Sequence, residues 1–364
     1  MTTAHPAFDV RIFHKECKSL AAAGHCTTLI APYDRCECVE GVNIRPIPAM
    51  SSRFARMMIA PWRVYREAMR LSGDVYHFHD PELIPVGLLL RARGKTVVYD
   101  MHENVPQDIL GKEYLPAALR RPLGTAMDCL ERVSSHLFSG MIAATPAIAR
   151  RFAHLDGRLA VVQNFPAREE FGPRIGLDWN ERENSVVYAG SITRDRAIRE
   201  MVEALTVVPG GLQPKLRLAG VFSPPELRQE VQALPGWDRV VDEGLLTRPQ
   251  VRDLLGRVRA GLLVLHPTPN YVQAQPVKLF EYMAAGLPVI ASDFPLWREI
   301  IDGVGCGLLV DPLKPNDIAA AIEYLLTHSS EAQTMGARGR QAVLESYQWD
   351  TEKAKLLRFY ARLV

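Results

Sequence analysis

A chain of 364 residues, 48% hydrophobic and 23% charged, has the composition of a globular protein with ample core and the length of two or three domains. Its net charge of +2 supplies no field for nucleic acid. No apolar run is long enough to span a bilayer and no signal-peptide h-region opens the sequence, so a cytoplasmic protein is expected. The cysteines (Cys17, Cys26, Cys36, Cys38, Cys129 and Cys306) form no C-x-x-C pair. Cys36 and Cys38 near His14 or His25 read as reduced thiols on a solvent-facing turn rather than as metal ligands.

In chain order, a helix over residues 15–23 stops at Gly24, and strands follow at 27–31 and 43–47. Residues 51–71 carry a helical pattern that Pro61 is expected to break or kink. At about 100° per residue, Arg53, Arg56, Arg63, Arg66 and Arg70 share one arc. Phe54, Met57, Met58, Trp62, Tyr65 and Met69 fall opposite, with Ile59 the exception. A basic face beside an aromatic, Met-rich one suits the surface of an anionic membrane. The ordinary alternative is a domain helix that buries its apolar face and solvates its arginines. Strands at 74–79, 95–101, 141–144 and 159–163 then alternate with helices at 81–93, 117–137 and 147–154.

Charged and turn-forming residues over 166–184 read as a linker. A second series has strands at 186–189, 215–219, 240–242, 261–266, 289–291 and 307–310, and ends in helices at 317–326 and 331–346. The class is therefore α/β, with two doubly wound, Rossmann-like domains at 1–165 and 185–346.

Residues 273–297 are the most informative stretch. Pro276 suits the first turn of a helix. Val277, Phe280, Ala284 and Leu287 make its apolar face, Gly286 ends it, and Val289-Ile290-Ala291 continues as a strand. A helix N-terminus favours an anion such as a diphosphate, and Lys278 in the first turn adds a full charge. Glu281, one turn deeper, is an acceptor suited to a sugar or ribose diol; it also reads as half of a solvated Lys–Glu pair. Another strand ends in Tyr188-Ala-Gly190-Ser191, where Gly190 permits close backbone approach and Arg194 or Arg196 can clamp phosphate. Strand alternation pairs His77 with His79, and Asp100 with His102, at two consecutive strand ends, where ligands of such sheets bind.

The segment 278–293, Lys-Leu-Phe-Glu-Tyr-Met-Ala-Ala-Gly-Leu-Pro-Val-Ile-Ala-Ser-Asp, resembles the donor-site signature of retaining GT-B glycosyltransferases of family four. The resemblance implies two Rossmann-like domains facing a cleft, with residues 347–364 crossing back onto the first. It implies a nucleotide-sugar donor as substrate, with no cofactor and no metal. Glu281 matches the family's second acidic residue, which holds the nucleotide ribose. Its first, seven residues earlier, contacts the donor sugar and falls on Gln273. Gln273 can hydrogen-bond a hydroxyl but cannot stabilise positive charge, so donor sugar and rate come into question. The family's Arg after the glycine is Ser191 here, and Arg196 matches the following cation. His102 matches the cleft histidine facing the donor sugar; His79, Asp80 and Glu103 fall on the acceptor side. Residues 5–14 resemble the loop after the first strand in a subgroup of the family. Only residues 1–4 precede it, so the expectation is a start placed too far downstream or a shortened first sheet. The implied function is transfer of a sugar to a glycan or lipid-linked acceptor in bacterial surface polysaccharide synthesis, with peripheral contact to the inner face of the cell membrane. A nucleotide-sugar epimerase, or a catalytically weak GT-B scaffold acting as a binding subunit, are the alternatives.

Overall fold

The computed structural model describes residues 1–50, 52–112, 115–171 and 178–363. The chain divides into two compact units, one of Met1–Asn164 with Trp349–Val364 and one of Phe165–Gln348.

The first unit contains β1 (Thr27–Pro32), β2 (Glu37–Val39), β3 (Val42–Ile47), β4 (Val75–Phe78), β5 (Thr96–Met101), β6 (Gly140–Ala143) and β7 (Leu159–Val161). They form two sheets, ordered β1-β3-β2 and β4-β5-β6-β7. The second sheet is parallel throughout, and β1 pairs with β3 in parallel. The β2–β3 hairpin was not expected. Its turn residues Glu40 and Gly41 both have positive φ, the geometry that matches strand twist in a two-residue turn. Residues 1–3 lie between the two sheets. Thr2 N–H donates to Ile30 C=O at 2.9 Å, and His79 N–H donates to Met1 C=O at 3.2 Å.

The first helix starts earlier than periodicity suggests. Asp9 accepts from the amides of Arg11 and Ile12 and caps a wide π-type turn over Val10–Cys17, which runs into α1 (Lys18–Ala22). The helix expected at 51–71 is two, α2 (Arg53–Met58) and α3 (Ala60–Arg70). Pro61 does not kink it: the break is at Ile59, and Pro61 sits in the opening turn of α3, where its missing N–H costs nothing. The next helices are α4 (Ile84–Ala92), an unexpected short α5 (Val105–Leu110) and α6 (Ala117–Leu137). The C-terminal helix Trp349–Tyr360 belongs to this unit. Trp349 Nε1 donates to Ser19 Oγ at 3.0 Å, and Gln163 N–H donates to Glu352 at 2.8 Å.

The second unit is one parallel sheet of β8 (Ser185–Ala189), β9 (Lys215–Ala219), β10 (Val240–Gly244), β11 (Ala260–Leu263), β12 (Val289–Ser292) and β13 (Gly307–Val310). Its order is β10-β9-β8-β11-β12-β13, with the reversal of direction between β8 and β11. Central strands such as β11 and β12 are buried along their whole length, as a sheet covered on both faces requires. The stretch expected as a linker is instead packed into this unit. Phe165 and Phe171 are buried with Phe280 and Met283, and Trp179 is buried with Val186 and Tyr188. Within 166–184 the charged residues mask two anchors, Phe171 and Trp179, and Phe165 just precedes them. Residues 172–177 of that stretch lie outside the described residues.

Candidate functional site

In the second unit the site gathers at the carboxyl end of β8, beside the topological switch where ligands of open α/β sheets bind. The helix α7 (Val277–Ala284) stands over it. Its core face is Leu279, Phe280, Tyr282, Met283 and Ala284, while Val277 is only half-buried. Tyr282 fixes the helix to β8 by accepting the Ala189 N–H at 3.1 Å. A side chain on Gly261 would collide with the Tyr282 ring, which explains the glycine in β11.

Gly190 has φ +139, and a Cβ there would collide with the end of Lys278 and meet Arg196 Nη1 at 3.6 Å. Two cations therefore converge on a backbone that carries no side chain. Arg196 Nη1 donates to the Tyr188 hydroxyl at 3.2 Å and sits against Tyr271, while its Nε is buried without a partner among the described residues. Lys278 Nζ is 5.7 Å from the centre of the Tyr188 ring. Burial first, then the charge of Arg196, lowers the Lys278 pKa to about 8, with Glu281 pulling the other way. Neighbouring strand ends share the design. Gly190 N–H donates to Ala219 C=O at 2.7 Å and Gly220 N–H to Gly244 C=O at 2.8 Å, and any side chain at Gly220 would strike the Gly190 carbonyl.

Glu281 bonds Arg248 at 2.7 Å, and the same guanidinium also reaches Glu170. Arg248 was invisible to sequence reasoning, because thirty-three residues separate it from Glu281 and no local spacing links them. Gln273 ends a short helix, Pro269–Gln273, and is exposed. Tyr271 of that helix is the residue that reaches Arg196. The loop after it is pinned by Trp297 Nε1, which donates to Ala274 C=O at 2.8 Å.

In the first unit the strand ends of β4 and β5 bring together His77, His79, Asp100 and His102. Arg11 clamps Asp100 with two bonds, 3.0 Å from Nε and 2.9 Å from Nη2, and donates to Val162 C=O at 2.8 Å. Arg11 Nε is also 2.9 Å from Glu16. Arg11 and Glu16 are five apart, and the wide turn stacks such residues on one face. Burial alone would raise the Asp100 pKa, but Arg11 and then His102 hold it well below the usual carboxylate range. Glu16 goes the other way, raised by burial and then by the Asp100 charge. Ligand atoms of Glu16, His77, His79 and Asp100 lie within 4.8 Å of one another. Arg11 already meets the negative charge of Asp100 there.

His102 Nε2 is 3.1 Å from Asp100 Oδ2 and 3.1 Å from His79 Nδ1. A proton on Nε2 aimed at the carboxylate leaves Nδ1 as the basic nitrogen. His77 bonds the Tyr360 hydroxyl at 2.8 Å. Asp80 is buried and committed to residues 2–4, accepting from Thr2 Oγ1 at 2.7 Å and Thr3 N–H at 2.6 Å. Glu103 is exposed one residue beyond His102.

Over 88 residues the chain is 36% identical to the GDP-mannose-dependent alpha-(1-6)-phosphatidylinositol monomannoside mannosyltransferase of Mycobacterium tuberculosis. That match spans 24% of this chain and only 23% of the mannosyltransferase, about a quarter of each. Sucrose-phosphate synthase from Thermosynechococcus elongatus shares the fold with a TM-score of 0.76 at 19% identity, covering 95% of this chain and 91% of that one. HepE from Anabaena, solved in complex with UDP and glucose, gives 0.72 at 13% identity, covering 95% and 94%. Residues 10–165 match Glycosyltransferase Family 4 and residues 174–342 match Glycosyl transferases group 1, so the chain belongs to the family 4, group 1 glycosyltransferases and has their GT-B fold.

Proposed function

We propose that this protein transfers a sugar, with retention of configuration, from a nucleotide-sugar to a glycan or lipid-linked acceptor in surface polysaccharide synthesis, without a metal. The carrying observation is the convergence of Arg196 and Lys278 on Gly190. Two cations meeting at a bare backbone, the Arg196 charge disfavouring that of Lys278, are short of an anion, and a diphosphate is the anion a nucleotide-sugar brings. Glycosyl transfer develops negative charge on the departing diphosphate, so these cations act where charge grows. They also take over the role a divalent metal would have there. Relatives named for GDP-mannose and solved with UDP support a nucleoside diphosphate donor. His102, with Asp100 fixing its ring, is the group in the first unit equipped to hold or take a proton.

A lipid-linked acceptor would be met at a membrane surface, and α2 and α3 carry a face suited to it. The core face of α3 is small (Ala60, Pro61, Val64 and Ala68), so its large apolar residues are not what it buries. Phe54 is 75% exposed, Trp62 58%, and Met57, Met58, Ile59 and Met69 are exposed beside them. An apolar patch with arginines around it is the composition of an interfacial docking face. No helix among the described residues is long and apolar enough to cross a membrane. Calorimetry with GDP and UDP in EDTA, followed by turnover of GDP-mannose and UDP-glucose with lipid acceptors, tests the donor assignment. Loss of binding in EDTA that returns with a divalent cation would overturn the metal-independent reading.

A further inference from the structure

The helix α6 is packed inside out. Its buried residues are Gly124, Glu131, Ser134 and Ser135. Gly124 lies against α5, where a Cβ would come within 3.0 Å of the Pro106 carbonyl. Glu131 accepts from the Tyr99 hydroxyl at 3.1 Å and from Arg151 Nη2 at 2.5 Å. Ser134 and Ser135 turn their hydroxyls back to the carbonyls of Leu130 and Arg132, each at 2.6 Å. The apolar residues lie on the outside instead. Val133 is 58% exposed and Leu137 54%, and Leu119, Leu123, Ala126 and Leu130 are exposed with them. An ordinary domain helix has the opposite arrangement.

The six exposed residues are spaced 4-3-4-3-4 along the chain. At 100° per residue they fill an arc of about 80°. A face that meets a core or a bilayer is wider, and a narrow seam on a 3.5-residue repeat is what a second helix packs against. The stripe has no aromatic residue, and the cations near it are engaged within the chain. Arg120 donates to Leu115 C=O at 2.9 Å, Arg132 to Asp128 at 2.8 Å and Arg91 to Leu137 C=O at 2.8 Å. A lipid headgroup would find these arginines already bonded.

The spacing 4-3-4-3-4 reads the same in both directions, so the stripe fits itself when one copy is reversed. A two-fold axis at position 128 sets Leu119 opposite the partner's Leu137, Leu123 opposite the partner's Val133, and Ala126 opposite the partner's Leu130. The smallest side chain of the stripe then faces a large one, as a packed layer needs. Parallel pairing would stack Ala126 on its own copy, leave a void at the centre, and put Arg120 and Arg121 beside their own copies. The antiparallel arrangement carries those arginines to the partner's helix C-terminus, where the dipole favours cations.

We propose that α6 is a self-association face through which two copies of this chain pair, antiparallel and in that register, as an isologous dimer. One helix of about 31 Å covers less than the ~800 Å² per partner of a standard interface. The dimer is therefore weak and reversible, with a dissociation constant on the order of 10 µM. Cys129 is exposed one residue from the axis and on the flank of the stripe, so the two copies of this thiol lie close together across it.

Sedimentation equilibrium of the full chain between about 1 and 300 µM should show monomer and dimer in exchange. Leu130→Glu and Val133→Glu each place a charge in the seam and should weaken the dimer about 30-fold or more, with far-UV circular dichroism unchanged because both side chains are exposed. Cross-linking tests the register with the stripe intact. In a chain with the other exposed cysteines, Cys26, Cys36 and Cys38, changed to Ser, a short bis-maleimide should link dimers, and Cys129→Ser should abolish the product. A monomer at every concentration, a dimer indifferent to both glutamates, or dimers that Cys129 does not cross-link each overturn the proposal. So does a monomer that binds phosphatidylglycerol vesicles and loses that binding in Leu130→Glu, which would make the stripe a membrane face.

Discussion

Lys278 and Arg196 reach the same glycine from different elements, one from the first turn of α7 and one from the turn after β8, and the Arg196 charge adds to the burial that disfavours the charge of Lys278. Such a pair is stabilised by what it binds. Lys278→Ala should weaken UDP or GDP binding about 10- to 100-fold, the value of one or two charge-assisted hydrogen bonds. The pH dependence has a defined sign. Lys278 loses its proton as pH rises through about 8, so nucleotide affinity should fall across that range and the slope should vanish in Lys278→Ala. Calorimetry between pH 7 and 9.5 measures both.

The Glu281–Arg248 pair tests the proposed ribose recognition apart from the proposed diphosphate recognition. Glu281→Ala should weaken UDP or GDP about tenfold and inorganic pyrophosphate much less, because the carboxylate bonds Arg248 directly and acts on Lys278 only through its charge. Arg248→Ala, which frees that carboxylate, should weaken nucleotide binding by a smaller factor. A parallel loss of pyrophosphate affinity in Glu281→Ala would place the residue at the phosphates instead.

Gln273→Glu restores a charge at an exposed helix end and should change turnover or donor-sugar preference without altering UDP or GDP affinity. Steady-state kinetics with GDP-mannose and UDP-glucose compare the two forms. Kinetics identical to the parent's would make the position silent.

His102→Ala should lower turnover by about 100-fold or more, the usual range for a positioned acid–base group, with nucleotide affinity and melting temperature preserved. Unchanged turnover would assign His102 a structural role.

Arg11 and Glu16 act on stability. Arg11→Met leaves the Asp100 carboxylate buried without its cation and should cost about 3–5 kcal/mol in urea unfolding. Glu16→Gln should do the reverse at neutral pH. Glu16 keeps its proton in the folded chain while the unfolded chain releases it near 4.5, so native stability declines as pH rises above that point. The amide removes this decline, and the stability difference between the two proteins should grow with pH above 4.5.

Docking through α2 and α3 predicts co-sedimentation with liposomes that contain anionic lipid, weakened by salt. Replacing Arg63, Arg66 and Arg70 with Gln should reduce it. Binding indifferent to these changes would move the contact to another surface.

Much of the architecture was readable because burial on both faces writes strands as apolar runs and β–α alternation admits few topologies. The strands at 215–219 and 307–310 and the helix at 117–137 lie where periodicity puts them. The misses have local causes. β2 is three residues of hairpin edge with no alternation to read, and the wide turn at Val10–Cys17 has neither helical nor strand period. Lys278, Arg196 and Gly190 could be found because each lies at a motif beside a strand or helix end. Arg11, Glu16 and Arg248 could not, since their partners are distant in sequence and a charged residue gives no sign in the sequence that it is buried.

The bare strand ends at Gly190, Gly220 and Gly244 carry a consequence for redesign. Where a Cβ at Gly190 strikes Lys278 and one at Gly220 strikes a carbonyl, the floor of the proposed donor site offers no positions to vary. Libraries aimed at new sugar specificity would gain nothing from randomising it, and most variants there would lose the fold locally. Diversity belongs on the rim, at Gln273, Tyr271 and Arg248, where side chains change without moving the backbone proposed to cradle the phosphates.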